Sequence, residues 1–289
     1  MSEKNIPKVI LITGTSSGFG LLTAARLSAK HKVIATLRSL DKSGSLLSEV
    51  NHRQGVIDLL ELDVTQKRSI ESAVQYVAGK YGYLDVLVNN AGYGIGGYFE
   101  DLTEDEIRAQ METNFFGVQN MIRETLPLMR PRKQGKIINI SSIAGLTASP
   151  CFGAYTASKW ALEGFSESLY YELMPFGIHV ALIEPGTYKT KIFQENAKYA
   201  KNFADPQSPY YYYSQHLKKK VMNFVNGCRK DPEMVARLVE KLIDDPYPHF
   251  RNIPDWESRI RLFLRKVLPF ELHSYLTERL LFGDLKKKN

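Results

Sequence analysis

Cysteine is scarce in this 289-residue chain: there are two, Cys151 and Cys228, with no Cys-x-x-Cys spacing. That excludes a disulfide framework and a thiolate zinc site, and no metal is expected. Long apolar runs are missing as well. Residues 1–5 are polar, and the run over 9–12 is far too short for a signal segment or a membrane span. A reducing cytoplasm fits these absences. No internal repeat is present, and no low-complexity segment beyond Tyr210, Tyr211, Tyr212 and Tyr213. Charge of one sign is not concentrated either. The net charge of +7 is spread along the chain, and only Lys218-Lys219-Lys220 and Lys286-Lys287-Lys288 form runs. These read as solvated surface and tail, so no nucleic-acid partner is expected.

What is present is an alternation. An apolar share of 44% suffices for a large core, and α/β folds often outgrow the usual domain size without dividing. Short β-branched runs over 8–13, 31–37, 56–62, 84–88, 136–140 and 178–183 read as six strands. Helical patterns lie between them, over 21–30, 69–81, 113–129 and 155–174. Thr103-Glu104-Asp105-Glu106 has the form of a capped helix start. Such a chain predicts a parallel, doubly wound sheet with right-handed crossovers.

The first strand ends in Gly14-Thr15-Ser16-Ser17-Gly18-Phe19-Gly20, and a helix follows. Strand, glycine turn and helix are what a pyrophosphate site needs, because glycines admit a close backbone and the helix start offers free N–H groups. The second strand ends at Thr36-Leu37-Arg38, without the carboxylate that would hold a ribose 2′-hydroxyl. Arg38 offers instead a planar donor fork suited to a 2′-phosphate, which favours NADP(H) over NAD(H); a surface arginine is the plainer alternative. Asp63, before Val64, either accepts from an adenine amino group or caps the following helix. Asn89 and Asn90, before Ala91 and Gly92, either cross-link strands or border a ligand.

Tyr155 and Lys159 stand at i and i+4, on one helix face. An ammonium near a phenol should lower the tyrosine pKa and make it usable as an acid or base near neutral pH. Ser142, just beyond the fifth strand, could hold a substrate oxygen. The glycine turn, residues 89–92, Ser142 and Pro185-Gly186 all fall at carboxyl ends of strands, which gathers them into one crevice.

In sequence, Thr13-Gly14-x-x-x-Gly18-x-Gly20, Asn89-Asn90-Ala91-Gly92, Asn114, Ser142, Tyr155-x-x-x-Lys159 and Pro185-Gly186 resemble the short-chain dehydrogenase/reductase family over residues 7 to 195. Residues 17–20 and 35–38 are similar to its hydroxysteroid- and retinol-dehydrogenase-like branch. The resemblance implies a Rossmann-type single domain over 1–289, with a dinucleotide-binding and catalytic core over 7–195. It implies an NADP(H)-dependent interconversion of an alcohol and a carbonyl, on an apolar substrate. Tyr155 would be the general acid/base, Ser142 would polarise the substrate oxygen, Lys159 would lower the Tyr155 pKa and bind the nicotinamide ribose, and Asn114 would hold a relay water. Gly14, Ser16, Phe19 and Gly20 would line the phosphates, Asp63 and Val64 the adenine, and Asn90 the adenosine ribose, with Ser17, Gly18, Ala91 and Gly92 also binding the coenzyme. Pro185, Gly186, Tyr188 and Thr190 would hold the carboxamide side, although Tyr188 departs from the Val or Ile usual there. A homodimer or homotetramer on the helices holding Asn114 and Tyr155 is implied too. A non-catalytic, dinucleotide-binding redox sensor is the alternative, against which the intact tetrad of Asn114, Ser142, Tyr155 and Lys159 weighs.

After residue 195, the segment 196–226 reads as a lid over substrate, its tyrosines either lining a pocket or packing the lid down. Residues 232–244 form another amphipathic helix. Over 255–268, Ile260, Phe263, Leu264, Val267 and Leu268 make an apolar stripe beside Arg259, Arg261, Arg265 and Lys266. Such a helix either packs its stripe on its own domain, the favoured reading, or lies on a membrane surface across 255–282.

Overall fold

The computed structural model describes residues 6–190, 197–283 and 285; Glu195, at the end of the expected core, and the terminal lysine run lie outside them. The chain begins β1 (Val9–Ile12), α1 (Gly18–Leu27), β2 (Lys32–Leu37), α2 (Gly44–His52), β3 (Ile57–Glu61), α3 (Lys67–Tyr81), β4 (Val86–Asn89) and β5 (Ile95–Gly96). It continues with α4 (Glu104–Met111), α5 (Gly117–Met129), β6 (Gly135–Ile140), α6 (Gly153–Leu173), β7 (Ile178–Ile183) and β8 (Lys198–Tyr199). The last elements are α7 (Tyr211–Gly227), α8 (Glu233–Asp244), β9 (Arg251–Asn252), α9 (Trp256–Val267) and α10 (Phe270–Phe282).

Seven strands form a parallel sheet in the order β3-β2-β1-β4-β6-β7-β9. Strand β1 shows why the sheet is buried on both sides. Val9 and Leu11 face one core cluster, shared with α3, α5 and α6, while Ile10 and Ile12 face another, shared with α1, α2 and α8. Alternate side chains point to opposite faces, so a strand with helices on both sides must be apolar throughout. Each such buried side chain contributes about 1.5–3 kcal/mol. The sheet order turns between β1 and β4, and the carboxyl ends of these strands flank the crevice in which a parallel sheet binds ligands.

The six expected strands are all present, and the box at Thr103 caps α4 as expected: its hydroxyl accepts from the Glu106 N–H while Glu106 reaches back. Five elements were not foreseen. Helix α2 and the two-stranded pair β5/β8 are short, and β9 is two residues long, too brief to show any period. The remaining one, α10, follows α9 after a two-residue break at Leu268-Pro269.

The favoured placement of the α9 stripe is overturned. Ile260, Phe263, Leu264 and Val267 all stay exposed, because only Ser258 on α9 is buried against the domain. Of the tyrosine run, Tyr210 packs: its ring stacks on Tyr98 at 4.4 Å and its hydroxyl donates to Glu100 at 2.8 Å. Tyr211, Tyr212 and Tyr213 are exposed. Among the described residues no helix is long and apolar enough to cross a membrane.

Candidate active site

The glycine turn is built against the end of β4. Thr13 Oγ1 accepts from the N–H groups of Asn90 and Ala91, both at 3.0 Å, and Asn90 Nδ2 donates to the carbonyls of Thr13 (2.9 Å) and Gly14 (2.8 Å). Gly14 has φ +71°, and a Cβ there would stand 2.7 Å from Ala91 Cα. At Gly20 a Cβ would stand 2.3 Å from Asn90 Nδ2. These two glycines are therefore required by close approach, not only by the turn. Asn90 takes the cross-linking role through its amide, and Asn89 does likewise, donating to Asn139 at 2.9 Å, with Asn139 donating on to Ser166 at 2.9 Å.

The amino end of α1 opens on a cavity of about 330 Å³ lined by Ser16, Ser17, Gly18, Ser45, Lys189 and Thr190 among others. Backbone N–H groups at a helix start and a lysine suit an anion. The residues present thus fit a dinucleotide pyrophosphate. Lys189 and Ser45 were missed by the sequence reading; Lys189 could have been noticed as a cation between Tyr188 and Thr190. Arg38 stands exposed just past β2, close enough to Tyr93 to act on its charge.

Two expected roles look different in place. Asp63 does not cap α3, whose N-cap is Gln66. Its carboxylate accepts instead from the N–H (2.9 Å) and hydroxyl (2.8 Å) of Thr65, closing a tight turn ahead of the helix. Tyr188 is a core residue: it is buried, meets Phe19 edge-on at 5.4 Å and donates to Asp255 at 3.2 Å. A bulky aromatic fits where Val or Ile is usual because α9 begins behind it and supplies that acceptor.

On the catalytic side, Ser142 follows β6 and caps a short turn, accepting from Ala144 N–H at 3.1 Å, with Pro185 O at 3.5 Å. Tyr155, in the first turn of α6, lies near enough to Ser142 for that hydroxyl to act on its phenol. Lys159, one turn on, is buried and donates to Ile140 O at 2.8 Å, with its Nζ 6.0 Å from the Tyr155 ring centre. Asn114 sits in a π-helical turn, Glu112–Phe116, between α4 and α5, a distortion common at functional sites. Its side chain clamps the Tyr93 backbone (2.9 and 3.1 Å) and donates to Ser158 at 3.0 Å. Ser158 in turn donates to Tyr155 O at 2.7 Å. Ser142, Tyr155 and Lys159 are brought together directly, and Asn114 joins them through Ser158.

The electrostatics correct one expectation. Lys159 does not depress Tyr155 here. Burial pushes the phenol above its ordinary value, and the nearby Ser142 hydroxyl only partly opposes it. Lys159 itself is lowered to about 8 by burial, with the Glu163 carboxylate opposing. The reason is geometric, since the ammonium is spent on the Ile140 carbonyl. Behind it, Glu163 accepts from Ser141 and Arg251, and Arg251 also binds Glu184 at 2.9 Å. Glu184 is fully buried, leaves one carboxylate oxygen without a partner among the described residues, and is pushed up to about 7 by burial and by Glu163.

Comparison with known proteins agrees with this arrangement. Residues 8–201 match the family model described as short chain dehydrogenase. A 3-ketodihydrosphingosine reductase of Bacteroides thetaiotaomicron is 41% identical over 85% of this chain and 87% of its own length. Human 17-beta-hydroxysteroid dehydrogenase type 1 is 34% identical over 97% of this chain and 88% of its own. The crystal structure of a short-chain dehydrogenase from Streptomyces avermitilis superposes with a TM-score of 0.77, at 33% identity and 98% coverage of both chains. The chain belongs to the short chain dehydrogenases, in their retinol- and hydroxysteroid-dehydrogenase-like branch, and is an NAD(P)-dependent oxidoreductase of that family.

Proposed function

We propose that this short chain dehydrogenase interconverts an alcohol and a carbonyl on an apolar substrate, using NADP(H) in preference to NAD(H). The observation that carries the reading is the convergence of Ser142, just past β6, with Tyr155 and buried Lys159 one turn apart on α6, Lys159 donating to Ile140 O at 2.8 Å. The nicotinamide, when bound, supplies or accepts the hydride. Tyr155 delivers or removes the proton at the substrate oxygen, and Ser142 holds that oxygen in place. A phenol raised by burial stays protonated in neutral solution, the state a proton donor needs. Lys159 binds the ribose hydroxyls with the ammonium donors left beyond the one given to Ile140, and Asn114 holds the turn at Tyr93.

The amino end of α1, with Ser16, Ser17, Gly18 and Lys189, holds the pyrophosphate, while Arg38, exposed and with no carboxylate beside it on β2, supports the 2′-phosphate preference. Asp63 and Val64 take the adenine, and the Pro185, Gly186 and Thr190 segment takes the carboxamide side. The apolar substrate class is supported by likeness to relatives named for a ketosphingoid and a steroid. Residues 196–289 serve as lid and extension of the single domain. A cytoplasmic setting belongs to the same reading, with both cysteines free. So does self-association through α5 and α6, whose surroundings leave Phe116, Trp160 and Tyr171 exposed.

The test is fluorescence titration with NADPH and NADH, followed by cofactor oxidation against steroid, retinal and small aromatic carbonyls. Tight NADPH binding with turnover on an apolar carbonyl is the expected result. Binding without turnover on any of them would remove the catalytic assignment, and failure to bind either nucleotide would remove the reading of the glycine turn.

A further inference from the structure

Helices α9 and α10 carry apolar stripes that nothing among the described residues covers. On α9, Trp256, Ile260, Phe263, Leu264 and Val267 recur at three- and four-residue spacing, with Phe263 63% exposed. On α10, Leu272, Tyr275, Leu276 and Leu280 repeat the pattern, with Leu280 73% exposed, and no residue of that helix is buried. Each such side chain is stabilised by a partner that removes it from water.

The surrounding charge says which partner. Helix α9 holds Arg259, Arg261, Arg265 and Lys266 against one carboxylate, Glu257, which Lys230 already pairs at 2.8 Å. Helix α7 adds Lys218, Lys219 and Lys220, the last reaching the Leu280 carbonyl at 2.7 Å. Against these stand Glu271 and Glu278 on α10, beside Arg279. A second copy would bring the same cations and repel. An anionic lipid surface offers both complements, acyl chain for the stripes and headgroup for the cations. We propose that α9 and α10 dock this protein on an anionic bilayer surface, lying in the interface plane. Twelve and thirteen residues span about 20 Å each, too short to cross a core of about 30 Å. The patch adjoins the catalytic side, because Arg261 donates to Ser149 at 3.2 Å in the loop before Tyr155.

Flotation of the full chain with vesicles of phosphatidylcholine, alone or mixed with phosphatidylserine, tests this independently of the chemistry. Binding to the mixed vesicles is expected, weakened by about tenfold or more in high salt or without the anionic lipid. Replacing Phe263→Ser together with Leu276→Ser should cost about tenfold or more in binding with the melting temperature unchanged. The pair Arg265→Glu and Lys266→Glu, which leaves the stripes intact, should lose binding as well. No binding to mixed vesicles at low salt overturns the proposal, as does unchanged binding in both double variants. Conversion of an oligomer to a monomer by Phe263→Ser and Leu276→Ser, with vesicle binding untouched, assigns the stripes to a second copy and overturns it too.

Discussion

Lys159 donates to the Ile140 carbonyl at 2.8 Å and leaves Tyr155 with its Nζ 6.0 Å from the ring centre. The lysine thus ties α6 to the end of β6, the strand that presents Ser142. Its low pKa makes that tie titratable. With the folded value at about 8 and the reference at 10.5, the unfolded chain binds the extra proton between these pH values. Stability contributed through this group therefore rises as pH climbs from about 8 to 10.5. The melting temperature of the wild type, less that of Lys159→Met, should increase across that window. A flat difference would show that Lys159 is not buried as charged-disfavoured.

Tyr155→Phe keeps the ring and removes only the hydroxyl beside Ser142. Turnover should fall by about 10²–10⁴-fold, the usual worth of a positioned acid or base. NADPH affinity should stay within a few-fold, because Gly14, Gly20 and the start of α1 are untouched. Equal loss of binding and turnover would make Tyr155 structural.

Much of this site was legible in the chain because its parts are local: a glycine turn after a strand, a Tyr and Lys one helical turn apart, asparagines at a strand end. Asn90 bonding to Gly14 and Ser142 meeting Tyr155 follow from the strand ends that the alternation places side by side. What was illegible came from distance. Arg251 lies 88 residues from Glu163 on a strand of two residues, and no periodicity announces it. The direction of the Tyr155 shift was misjudged because spacing gives the face of a helix but not the carbonyl that captures an ammonium. The α9 stripe was misplaced because a pattern tells that a face is apolar, not what covers it.

Glu184 sits on the end of β7 with one carboxylate oxygen unpartnered among the described residues. Its folded value of about 7 lies above the reference of 4.5, so the folded protein binds the extra proton between them, and stability is lost as pH rises from about 4.5 to 7. Glu184→Gln keeps an acceptor for Arg251 without the charge. The variant should melt higher than wild type at pH 8, and that advantage should shrink toward pH 5. A pH-independent difference would mean that the carboxyl does not titrate in this window.

Arg38 projects into solvent beyond β2, so its replacement should leave the fold unchanged. Arg38→Asp trades a donor fork for an acceptor of ribose hydroxyls and repels a 2′-phosphate. The ratio of kcat/KM for NADPH over NADH should fall by about tenfold or more, a change of about 1.4 kcal/mol. An unchanged ratio would take Arg38 out of the coenzyme site.

Asp255 joins the start of α9 to the Pro185-Gly186 turn just past β7. It is buried and accepts from Gly186 N–H (3.3 Å), the Tyr188 hydroxyl (3.2 Å), Lys230 (2.9 Å) and Ser258 (2.7 and 3.0 Å). Those donors, led by Lys230 and Ser258, hold its carboxyl below the usual range despite burial. Gly186 must be glycine for this contact, since a Cβ there would stand 2.1 Å from Ser258 Oγ. Asp255→Ala removes one partner of a buried pair and strands the others, at a cost of about 3–5 kcal/mol. Asp255→Asn keeps the shape and one acceptor, so it separates packing from charge. In this milder variant the Pro185-Gly186 turn should loosen, raising KM for NADPH with kcat nearly unchanged, because Tyr155 and Ser142 are held from β6 and α6. A fall in kcat at constant KM would instead place Asp255 in the proton path, where its carboxylate makes no contact with either residue.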